Sequence, residues 1–87
     1  MIRIFRMDDN EWWAGESLSA CVDEGRRQCG PECYPDDPEW QRELSDEEMR
    51  QLTFVDEDDI RRTFADELER RISAGERFPQ AFAAENF

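Results

Sequence analysis

The sequence has no histidine and only three cysteines and four glycines, and all of its basic residues are arginine, with no lysine. Without histidine, the usual general base and the partner that activates a cysteine nucleophile are missing. Three thiols leave a tetrahedral zinc site one protein ligand short. Cys21, Cys29 and Cys33 fit no zinc, haem or redox spacing and read as reduced thiols. The scattered glycines form neither a phosphate-binding loop nor a dinucleotide fingerprint. No run approaches the about 18 apolar residues of a membrane span, and Met1-Ile2-Arg3-Ile4-Phe5-Arg6 is too short and too charged for a signal peptide. These absences predict no enzyme, no cofactor, no metal and no membrane, and a cytoplasmic protein.

Acid is what the chain has most of: 23 Asp and Glu against 11 arginines, a formal net charge of −12 on 87 residues. Duplex DNA carries one phosphate charge per about 1.7 Å, so a stretch as long as this chain is wide, about 25–30 Å, holds on the order of 15–18 charges. The protein approaches that density. It is expected to repel nucleic acid and anionic lipid and to attract basic proteins that bind them. A length of 87 residues fits one domain, 1–87, with a thin core built from six Phe and three Trp.

Ile2 to Met7 alternates apolar and polar residues at its start, Asp8-Asp9-Asn10 has turn chemistry, and Glu11-Trp12-Trp13-Ala14-Gly15 favours strand, predicting a hairpin. One tryptophan is expected in the core and the other on the exposed face, where Trp13 would be a contact residue. Ser17 is placed to cap a helix with Leu18, Cys21, Val22, Gly25 and Cys29 on one face, weakened at Gly25 and stopped at Gly30-Pro31. A loop over about 30–40 follows, flanked by Tyr34 and Trp40, which could anchor it.

Ser45-Asp46-Glu47-Glu48 is a capping box opening a short helix over about 46–51. Leu52–Val55 has strand character, and Asp56-Glu57-Asp58-Asp59 is a charged turn. A helix capped at Thr63 then places Phe64, Leu68 and Ile72 on one face and closes at Gly75. Phe78 and Phe82 mark a last strand, put at a sheet edge by Pro79. The predicted class is α+β: a small, mostly antiparallel sheet of three or four strands packed with two or three helices. A mainly helical bundle with one hairpin is the alternative.

Asp56, Asp58 and Glu67 occupy the first, third and twelfth places of a calcium-loop template, but Ile60 and Arg61 stand where an oxygen ligand and a glycine are required. Glu67 and Arg71 read as a surface ion pair worth a few tenths of a kcal/mol. The candidate partner-binding residues are therefore Asp46, Glu47, Glu48, Asp56, Glu57, Asp58 and Asp59 as one acidic face, with Trp13 and Trp40 as aromatic contacts. Interspersed Arg61, Arg62, Arg70, Arg71 and Arg77 would work against such a face by neutralising it.

Three segments carry a resemblance: Met1–Met7 with Trp12-Trp13-Ala14, then Glu43-Leu44-Ser45-Asp46-Glu47-Glu48-Met49, then Arg61-Arg62-Thr63-Phe64-Ala65 with Phe78-Pro79. Together they resemble the small acidic prophage proteins of Gram-negative bacteria from which anti-CRISPR proteins come. The resemblance implies a stoichiometric inhibitor of a type I CRISPR–Cas complex in the host cytoplasm. Such an inhibitor would bind a basic Cas subunit in place of nucleic acid, touch no nucleic acid itself, and be a monomer or weak homodimer. An acidic adaptor or antitoxin-like module is the alternative.

Overall fold

The computed structural model describes residues 1–8, 10–35, 39–55 and 57–84. The turn residue Asp9, loop residues 36–38, Asp56 and residues 85–87 lie outside the described residues. The class is α+β, as the element order predicts, and the chain divides into two compact units, Met1–Glu43 with Phe78–Phe87 and Leu44–Arg77.

The first unit is an antiparallel sheet of four strands with one helix. Strands β1 (Arg3–Arg6) and β2 (Glu11–Gly15) form the expected hairpin, with Phe5 opposite Trp13 and Arg6 opposite Trp12. The Met7 amide donates to the Glu11 carbonyl at 2.8 Å, and Asp8 Oδ1 accepts from the Asn10 amide. Helix α1 (Leu18–Cys29) begins at Ser17, whose hydroxyl accepts the Ala20 amide. It packs on β2. On that face Phe5, Met7, Trp13, Cys21 and Val22 form a core cluster against which Leu18 and Tyr34 pack.

Strand β3 (Arg42–Glu43) adds to β1, while β6 (Gln80–Ala84) adds to β2 across an irregularity at Trp12/Trp13, giving the order β3-β1-β2-β6. The last strand sits at the sheet edge, as Pro79 suggests.

One expectation about this unit is extended and one is corrected. Helix α1 runs on through Gly25, where a Cβ would come within 2.5 Å of Tyr34 Cε2, so the missing side chain is the seat of the Tyr34 ring. Cys29 and Cys33 are not reduced thiols but a disulfide, with Cα atoms 6.1 Å apart, joining the last residue of α1 to the loop. Cys21 is free and buried, and burial pushes its thiol up to about 11.

The second unit holds helix α2 (Asp46–Gln51), strands β4 (Thr53–Val55) and β5 (Arg61–Thr63), and helix α3 (Phe64–Ser73). The Leu52–Val55 strand joins no large sheet. It pairs with β5 in a separate two-stranded ribbon, Phe54 opposite Arg62. Both helix starts follow the sequence. Ser45 Oγ accepts the Glu48 amide at 3.1 Å while Glu48 Oε1 accepts the Ser45 amide at 3.0 Å, and Thr63 Oγ1 accepts the Asp66 amide.

Helix α3 ends in a left-handed glycine, Gly75 at φ 74°, with the Gly75 amide donating to Ile72 and the Glu76 amide to Arg71. Met49, Phe64 and Leu68 are buried, and α2 packs on α3. The third residue of the expected apolar stripe, Ile72, is about half exposed, and buried Arg71 and Glu67 take the inward positions of the helix.

Candidate interaction surface

The acidic residues at the start of α2 are partly used up locally. Glu48 closes the capping box, and Glu47 accepts a hydrogen bond from the Gln51 side chain. Negative charge in a first helical turn is stabilised by the helix dipole. In the turn, Glu57, Asp58 and Asp59 are exposed, and Asp59 takes the left-handed conformation that aspartate tolerates better than most residues, φ 60°. Asp56 lies outside the described residues.

Glu57 and Asp58 line an open cavity of about 460 Å³ in the second unit, together with β4 and α3 residues. Asp46, Glu47 and Glu48 are not among its lining residues, so this cavity does not join the α2 start to the turn as one acidic face.

On the inner wall of that cavity stands a charge cluster of a different kind from the expected surface pair. The Glu67 side chain is completely buried and gathers three arginines. Arg70 donates to it at 2.9 and 2.8 Å, Arg71 Nε donates at 2.7 Å, and Arg62 of β5 stands 3.5 Å away. The Arg71 guanidinium also lies over the Phe54 ring, 5.1 Å from its centroid. Hydrogen bonds from Arg70, then from Arg71, hold the Glu67 carboxyl below the ordinary range against the opposing effect of burial. Both Glu67 oxygens thus accept from guanidiniums.

The arrangement also sorts charge. Three arginines of Leu44–Arg77 converge on one carboxylate that solvent does not reach. Among the described residues Glu57, Asp59, Asp66 and Glu69, all exposed, form no ion pair. Three arginines are thus spent on Glu67, while Arg50, Arg61 and Arg77 of the same unit stay exposed, as that acid does.

Trp13, expected as an exposed contact, is a correction: it is 3 % exposed and belongs to the core. Trp12 is buried as well. Neighbouring residues on a strand point to opposite faces, so both faces of the sheet are covered at β2. Trp40 is 37 % exposed, with the Arg6 guanidinium 4.9 Å from its ring centroid. Sequence reasoning missed Arg62, Arg70 and Phe54 as one cluster around Glu67. It also missed the exposure of Val55 and Ile60 on the two sides of the acidic turn.

Among the described residues no helix is long and apolar enough to cross a membrane. Comparison with protein-family models, with curated proteins and with solved structures gives no match.

Proposed function

We propose that this chain is a binding protein that occupies a basic nucleic-acid-binding cleft of a partner and blocks nucleic-acid loading, the activity implied by its resemblance to anti-CRISPR inhibitors of type I complexes. It acts in the bacterial cytoplasm and by binding, not by catalysis. The observation that carries the reading is the sorting of charge in Leu44–Arg77, where three arginines are drawn onto buried Glu67 and, among the described residues, exposed acid forms no ion pair at Glu57, Asp59, Asp66 and Glu69. A cleft built to hold phosphates through Lys and Arg would be attracted to such a surface at long range and would lose it at high salt.

A further point supports binding. The buried carboxyl in the cavity is held low, so it is a fixed anion near neutral pH and a poor proton donor or acceptor there. The adaptor reading calls for an exposed Trp13 or Trp40; Trp13 is in the core, and Trp40 is the exposed one that it would use.

The test is to capture partners from a bacterial lysate with the tagged protein and then measure DNA loading onto the retained basic protein. Loading is expected to fall as the chain is titrated in and to recover when Glu57, Asp58 and Asp59 are all changed to Lys. Full loading at saturating protein would refute the reading.

A further inference from the structure

Val55 and Ile60 are 48 % and 47 % exposed, and both line the cavity whose mouth carries Glu57 and Asp58. Two half-exposed aliphatic side chains flanking one acidic turn are a conspicuous use of apolar surface in a chain that is 39% charged. Deeper in, the wall is Phe54 with the Arg71 guanidinium over its ring, beside the other arginines around Glu67. A cationic head pushed into that wall meets three guanidiniums. An apolar side chain meets no such repulsion and finds Val55, Ile60 and Phe54. Cations belong outside, at Glu57 and Asp58.

We infer that the cavity bounded by β4, Glu57, Asp58, Ile60 and α3 docks an apolar side chain of the partner that is flanked by Lys or Arg, so that the anchor fills the apolar part while its basic neighbours meet the carboxylates at the mouth. The inference rests on the acidic-surface reading above and names the segment of partner that this surface takes. The apolar anchor confers selectivity among basic partners, as buried anchors ringed by polar contacts do at other interfaces.

Two synthetic peptides serve as probes: a Lys/Arg-rich peptide with one central Leu, and the same peptide with Ser in its place. Both are measured by calorimetry against the wild-type chain and against a Val55→Ser, Ile60→Ser double variant, whose changes lie at exposed positions and whose fold is checked by circular dichroism.

The Leu peptide is expected to bind the wild type about tenfold more tightly than the Ser peptide. The double variant should bind the two alike, with affinity for the Ser peptide unchanged. Equal binding of both peptides to the wild type, with the double variant unaffected, overturns the anchor while leaving the acidic surface standing. Binding of neither peptide at low salt overturns both.

Discussion

Trp13 and Tyr34 meet edge to face, ring centroids 6.1 Å apart, and both donate to the same oxygen, Glu11 Oε1, at 2.8 and 2.6 Å. This contact ties the loop after α1 to the central hairpin. It also raises the Tyr34 phenol pKa, first through burial and then through the Glu11 bond, which is lost when the hydroxyl ionises.

Tyr34 is the one tyrosine in the chain, so a tyrosinate absorbance titration reports it alone. Ionisation is expected above the ordinary value of about 10 in the folded protein and at that value in urea. Because the folded pKa is the higher one, the stability it represents is fully present below about pH 10 and is lost as pH rises through the folded value. A midpoint unchanged by urea would contradict the contact.

Gly25→Ala should destabilise, by about 1–3 kcal/mol in urea melts, because the added methyl collides with the Tyr34 ring. Helix propensity alone predicts the opposite sign, a gain of up to about 1 kcal/mol. The direction of the shift decides between them.

Glu67→Gln removes the carboxylate that three arginines share and leaves buried Arg71 without it, a change expected to cost about 3–5 kcal/mol at neutral pH. The folded carboxyl titrates below its unfolded value, so its contribution is present above about pH 4.3 and is lost as pH falls through the lower, folded value. The stability gap between wild type and variant should therefore hold from neutral pH down to about 4.3 and narrow below it. Denaturant melts of the pair across that range check the sign.

Cys21 should resist a thiol reagent in the native protein, since its side chain is buried and its pKa of about 11 leaves little thiolate at neutral pH. Denaturant should expose it at once. A rate in the native state equal to that in denaturant would place Cys21 at the surface.

What the sequence made legible was local. The Ser45–Glu48 box, the Thr63 cap and the Gly75 stop depend on hydrogen bonds within a few residues, and they set α2 and α3 where expected. The β1–β2 hairpin declared itself through alternation and a turn. By contrast Arg42–Glu43 and Arg61–Thr63 have no apolar rhythm and become strands only because β1 and β4 offer them a ladder. The same pairing hid the site: Arg62 reaches Glu67 from β5, a contact that spacing along α3 could not announce. The rule that puts Ile72 beside Leu68 failed because the Glu67–Arg71 pair takes the inward positions. Neither exposure of the two tryptophans nor the pairing of Cys29 with Cys33 has a signature in neighbouring residues, since both are settled by what packs around them.

The segment that leaves α1 is fastened twice, by chemistries that answer to different conditions. The Cys29–Cys33 bridge can be opened by a dithiol. Arg26, which grips the carbonyls of Cys33 and Tyr34 at 3.1 and 2.7 Å, is indifferent to electrons. A glutathione-rich compartment that severs the first tether leaves the second in place, so the aromatic lid over Gly25 keeps its latch with or without the sulfur link.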